Sequence, residues 1–162
     1  MAAKANKIRC RRGVSLVGTM VAVVVLLIAL IGTSNFRYFS ALDARKADAQ
    51  TTAARVALML CEGWRGIRGD GTYNPTAHLG SSLTITQNNQ VYPDKPPDFT
   101  LLGSYKVVLE SVNYYTTLSW KDVQPGLRAL NVVVAWAQRD QREGSIDSVD
   151  KSFKLTIYTS TL

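Results

Sequence analysis

The chain has 162 residues, 46% of them hydrophobic, and a formal net charge of +7. That length suits one domain with a modest core and is short for two. The charge does not define a nucleic-acid surface. Lys4, Lys7, Arg9, Arg11 and Arg12 all lie in the first thirteen residues, which hold no acid, and without these five cations the charge falls to +2.

Residues 1–13 therefore read as a basic leader. No charged residue occurs between Arg12 and Arg37, and the run 14–32 is apolar, VSLVGTMVAVVVLLIALIG. As a helix rising about 1.5 Å per residue it would cross most of a bilayer. The cations before it, with no matching cluster just after it, place the amino end in the cytoplasm and the rest of the chain outside. An uncleaved signal anchor has this pattern. So does an ordinary signal peptide, for which the small residues Gly32 and Ser34 would mark a cut after Ser34.

The junction reads Arg11-Arg12-Gly13-Val14-Ser15-Leu16-Val17. This resembles the prepilin peptidase site of type IV pilin-like proteins, where the cut follows a glycine and precedes the apolar run. The resemblance implies cleavage after Gly13, a helix retained on the mature protein, and Val14 as an N-methylated new terminus. The family usually carries glutamate at the fifth mature position, where this chain has Gly18. A carboxylate in a membrane helix costs about 2.5–3.5 kcal/mol on insertion scales. In the family it is thought to pair with the amino terminus of a neighbouring subunit. Gly18 avoids the cost and forfeits the pairing, which favours a minor subunit, the filament tip being one place for it, over an abundant shaft subunit; the alternative is a lineage that has relaxed the rule.

Residues 36–61, FRYFSALDARKADAQTTAARVALMLC, contain no proline or glycine and are rich in good helix formers. Tyr38, Leu42, Ala49, Ala53, Val56 and Leu60 recur at three-, four- and seven-residue intervals, with Arg37, Asp43, Lys46, Asp48 and Arg55 between them. This predicts an amphipathic helix with one face for a sheet, ending near Gly63. Residues 62–104 then read as a long irregular connection. It holds a short strand candidate, Leu83-Thr84-Ile85-Thr86, the extended stretch Pro93-Asp94-Lys95-Pro96-Pro97, and three aromatics expected to be exposed: Tyr73, Tyr92 and Phe99.

Four later segments alternate with period two. Their apolar sets are Tyr105, Val107 and Leu109; Tyr114, Thr116, Leu118 and Trp120; Leu130, Val132, Val134 and Trp136; and Phe153, Leu155 and Ile157. Alternation predicts strands with one buried and one wet face, and the short connections exclude crossover helices. The expected fold is α+β and pilin-like: a long amino-terminal helix, apolar then amphipathic, packed on a carboxyl-terminal antiparallel sheet of about four strands. The expected organisation is a leader at 1–13, a transmembrane or filament-core helix at 14–36, and a head at 37–162 with its sheet in 105–160. The ending, an apolar strand closing in Val-Val-Val-Ala-Trp, a polar loop and a Thr-containing final strand, resembles minor pilins of the type IV pilus modification class.

Few residues offer chemistry. Cys10 lies in the leader, so a mature chain keeps only Cys61, set among Val56-Ala57-Leu58-Met59-Leu60 and expected to be a small buried hydrophobe. His78 is the single histidine and has no partner for a metal. Asp140, Glu143, Asp147 and Asp150 are diluted by Arg139, Arg142 and Lys151 and lack calcium-loop spacing, leaving Asp147 and Asp150 as weak calcium candidates. Arg68-Gly69-Asp70 matches an adhesion tripeptide but reads better as a glycine turn after a helix. The sequence thus predicts no catalytic residue, no metal site and no cofactor. The resemblance implies a non-enzymatic subunit of a type IV pilus or a type II secretion pseudopilus. Its partners would be prepilin peptidase, other pilin or pseudopilin subunits and the inner membrane, with no strong nucleic-acid signal and with the head in the periplasm. The alternative is a tip-located module that binds a surface, a secreted substrate or DNA through the 62–104 loops.

Overall fold

The computed structural model describes residues 15–137 and 149–161. One helix, α1 (Leu16–Gly66), is followed by a short helix, α2 (Pro75–Leu79), and five strands. These are β1 (Thr84–Asn88), β2 (Thr100–Leu109), β3 (Val112–Gln124), β4 (Leu127–Trp136) and β5 (Lys151–Ser160). They form one antiparallel sheet in the order β1-β2-β3-β4-β5. The fold is α+β, a long amino-terminal helix packed on an antiparallel sheet. The sheet has five strands where the sequence suggested about four. The fifth is the short candidate around Ile85, which pairs Val107 across β1 and β2.

The chain divides into two compact units at Ala44 and Arg45, inside α1. In the second unit Ala53, Val56, Ala57, Leu60, Cys61 and Trp64 are buried at helical spacing. They meet Tyr105, Val107, Tyr114, Leu118, Leu130, Val132, Val134 and Trp136 from one face of the sheet. Tyr38, placed on the same stripe by its spacing, is instead exposed.

Helix α1 does not stop near Gly63 but runs one turn further, to Gly66. That turn carries Trp64 into the core, where its burial outweighs the weak helix propensity of two glycines. Gly63 has a packing reason: a Cβ there would lie 2.6 Å from the Tyr73 hydroxyl. The helix ends in a Schellman motif. The Gly69 N–H donates to Trp64 O at 3.0 Å and the Arg68 N–H to Arg65 O at 2.9 Å, with Arg68 at φ 57° in the position glycine usually takes. Residues 62–104 are therefore partly regular, containing the last turn of α1, all of α2 and all of β1.

The expectation of one wet face fails for the central strands. Residues 114–119 of β3 and 129–136 of β4 are buried on both faces. The side away from the helix carries Tyr115, Thr117 and Ser119 on β3 and Ala129, Asn131, Val133 and Ala135 on β4, mostly small side chains that neighbours shield readily. Two polar pairs there are tied across strands, the Ser104 and Thr117 hydroxyls lying 3.0 Å apart and Asn131 Nδ2 donating to Thr156 Oγ1 at 2.8 Å, whereas Ser119 Oγ and Asn131 Oδ1 are buried without a hydrogen-bond partner among the described residues. The Pro-rich loop between β1 and β2 returns over this side, with Tyr92 edge-on to Tyr115 at 6.1 Å, Pro93 buried, and Asp98 3.9 Å from Lys121. The predicted alternation is kept by β5, at the sheet edge, with Phe153, Leu155 and Ile157 half-buried and Ser152, Lys154, Thr156 and Tyr158 exposed, and in weaker form by β2, with Tyr105 and Val107 buried and Lys106 and Val108 half-buried.

Candidate functional site

The feature that invites a function is the first unit's part of α1. From Leu16 to Ile31 the large apolar side chains are exposed around the whole helix, and no residue of the most apolar stretch is buried. A soluble helix hides such a surface; this one is long and apolar enough to cross a membrane. Its hydroxyls suit an apolar environment. Thr19 Oγ1 donates to Leu16 O at 2.7 Å, Thr33 Oγ1 to Ala29 O at 3.0 Å, and Ser34 Oγ to Leu30 O at 2.9 Å. Each of these three returns its proton to the helix's own backbone, which lowers the cost of an apolar environment.

Gly18 lies in the first turns of this helix, and a Cβ there would meet nothing within 4 Å. Among the described residues, packing therefore does not require glycine there, and the helix presents bare backbone at this position. Gly13 and Val14, the expected cleavage junction, lie outside the described residues. Gly32 and Ser34, the markers of an ordinary signal cut, sit within unbroken helix.

The other candidates fall in the second unit. Cys61 is fully buried, and burial pushes its thiol from an ordinary 9.0 up to about 12. Tyr73, expected to be exposed, is 3% exposed, and burial pushes its phenol up to about 12 as well. It is sandwiched between Trp64, at 6.0 Å, and His78, at 5.4 Å. Tyr92 and Phe99 are half-buried, so none of the three proposed contact aromatics is freely presented. His78 is exposed and lies on α2, not in a loop. Asp150 is exposed just before β5, while Asp140, Glu143 and Asp147 lie outside the described residues. Among the described residues no three His, Cys, Asp or Glu side chains gather as metal ligands would.

Arg68-Gly69-Asp70 is absorbed by the end of α1. Asp70 O accepts the Trp64 indole N–H at 2.8 Å, and its carboxylate accepts the Thr72 N–H at 3.0 Å and hydroxyl at 2.8 Å, which holds it below the usual carboxylate range. Gly69 O accepts Arg128 Nη1 at 2.8 Å. The same guanidinium lies 3.8 Å from the centre of the Trp120 ring and grips Asp122 through two hydrogen bonds, at 2.7 and 3.2 Å. Arg128 thus ties the end of α1 to the β3–β4 ribbon. This junction was not anticipated, and no local sequence signal marks it, because its parts lie 59 positions apart. No family model, no curated protein and no solved structure matches the chain.

The titrations of Cys61 and Tyr73 carry an expected pH dependence. Both groups hold their protons more tightly folded than unfolded, so the stability they contribute is complete below the unfolded thiol value of 9.0. It drains away as pH rises towards about 12, because the unfolded chain releases those protons first. Denaturation midpoints of the head should fall steadily above pH ~9. In the same samples, Cys61 should react with a thiol reagent at neutral pH only at the rate of unfolding. Fast labelling of the native protein would contradict its burial.

Proposed function

We propose that this chain is a minor subunit of a type IV pilus or of a type II secretion pseudopilus. The first part of α1 holds it in the inner membrane, and the head lies outside the cytoplasm. The observation that carries this reading is the continuity of α1 from Leu16 to Gly66. One uninterrupted helix begins with apolar side chains exposed all round and ends with a face buried in a small α+β head. A signal peptide cut after Ser34 would sever that helix midway, and peptidases act on extended chain. A cut before Val14 keeps it whole. Assembly would then proceed by van der Waals packing of the apolar segment against neighbouring helices, with bare backbone at Gly18 and Gly32 permitting close approach.

The absence of a carboxylate at Gly18 sets the subunit's rank. A charged amino terminus at Val14 needs a partner once it enters an apolar bundle, and Gly18 of an identical neighbour supplies none. A mixed filament tolerates one such subunit most easily at the tip, where no further amino terminus arrives beside it.

Mass spectrometry of membrane extracts and sheared filaments tests both steps. The amino-terminal peptide should begin Val14-Ser15-Leu16-Val17 and carry a methyl group, and the protein should be scarce beside a subunit that has glutamate at the fifth mature position. A start at Asn35 would sink the pilin reading. A protein that dominates the filament, or polymerises alone, would overturn the inference from Gly18 while leaving the cleavage intact.

A further inference from the structure

Three polar residues after the apolar run comes a compact group, Phe36-Arg37-Tyr38-Phe39. All three rings are exposed, at 73%, 63% and 62%, and none belongs to the head's core, which takes its first helical residues from Ala49 and Ala53. Tyr38 and Phe39 meet edge-on with ring centres 5.8 Å apart. We propose that these aromatics form a collar that seats α1 at the headgroup layer of a phospholipid bilayer, on the side of the membrane away from the leader. The proposal rests on the membrane-anchored reading above.

Three observations carry it. The first is length. Leu16 to Asn35 is about twenty helical residues, or ~30 Å, the thickness of a bilayer's hydrocarbon core. The aromatics therefore begin where hydrocarbon gives way to headgroups, the depth at which amphipathic rings are enriched.

The second is their distribution around the helix. At about 100° per residue, Phe36, Tyr38 and Phe39 point in directions roughly 0°, 200° and 300°, an arc of ~160°, and Arg37, at roughly 100°, takes the remaining side. A seam for one partner helix would keep its large side chains within an arc of ~100°. The rings exceed such a seam, and with Arg37 the group surrounds the axis, which suits surroundings that are the same on every side, as a bilayer interface is.

The third is charge. Arg37 is the first charged residue after Arg12, and the first acid after it is Asp43. A cation with its stem in the acyl boundary and its head among phosphates is the ordinary arrangement for arginine at a span's end. Tyr38 supplies a hydroxyl at the same level, while Phe36 and Phe39 supply apolar surface.

Depth measurement on the full chain tests this. With Cys10→Ser in place and Cys61 buried, spin labels are put at Val25→Cys or Ser40→Cys. The protein is reconstituted in vesicles of phosphatidylcholine and phosphatidylglycerol, and access of oxygen and of a water-soluble nickel chelate is compared. The label at 25 should be oxygen-accessible and shielded from nickel, and the label at 40 should report the phosphate level. Replacing Phe36, Tyr38 and Phe39 together by serine should move the label at 40 by about one helical turn, ~5 Å. Since these residues lie outside the head core, its tryptophan fluorescence should stay unchanged. If 25 is deep but 40 is as nickel-accessible as in water, the collar is not interfacial and the proposal falls while the anchored helix stands. If both labels are nickel-accessible, the anchored reading fails and the collar with it. An unchanged depth after the triple substitution would also overturn the proposal.

Discussion

Trp64→Ala is expected to lower the unfolding free energy of the head by about 3–5 kcal/mol, measured by urea denaturation of a fragment beginning at Arg37. Trp64 is fully buried at the last turn of α1, where three interactions converge on it. Its ring stacks on Tyr73, its indole N–H caps Asp70 O, and its own carbonyl accepts the Gly69 N–H that closes the helix. Alanine removes the first two and leaves a cavity beneath a backbone turn that Arg68 already holds at φ 57°. Trp64→Phe separates the contributions. Most of the packing stays and the donor to Asp70 goes, so the loss should be nearer ~1–2 kcal/mol. A loss below about 1 kcal/mol for the alanine variant would mean that the end of α1 frays independently of the sheet.

The second large effect is expected at Trp136, which should also cost about 3–5 kcal/mol when replaced by alanine. It is 4% exposed, faces the helix with Val132 and Val134, and lies 6.4 Å from the Tyr114 ring. Val133→Ala, one residue along β4 from Val132 and Val134 on the opposite face, is the control. Its side chain is equally buried but smaller, so the loss should be about 1–2 kcal/mol. Equal losses at the two positions would mean that the face towards the helix does not dominate the core.

The face of β4 on which Trp136 lies was legible in its alternation with Val132 and Val134. The burial of Val133 and Ala135 was not, because period two names two faces without saying whether both are covered. What covers the second face includes a loop whose Tyr92 reaches Tyr115, a contact between residues 23 positions apart that no window along the chain detects. The helix boundary slipped for a related reason. Gly63 and Gly66 are local stop signals, and they lost to the tertiary burial of the tryptophan between them. Tyr73 was misplaced because its neighbours are polar and glycine-rich, whereas the ring turns inward onto Trp64. Two turns show the limits of turn chemistry. Pro125-Gly126, with Gly126 at φ 82°, is a recognisable turn dipeptide. Glu110-Ser111 has both residues at positive φ, 49° and 67°, in a two-residue hairpin that usually demands asparagine or glycine. The apolar part of α1 needed no tertiary information at all, since uncharged composition and length define it.

The order of the strands in the sheet has a consequence for how the head is made. Each strand pairs with the one that precedes it in the chain, and no pairing waits for a segment further on. A polypeptide delivered amino end first can therefore lay down its sheet progressively, each arriving strand finding its template already in place. Such a sequential assembly keeps the separation between pairing partners small and shortens the time for which an unpaired edge stands open to other chains. Of the five strands β5 is delivered last, and its exposed Lys154 discourages that edge from recruiting a strand from another molecule.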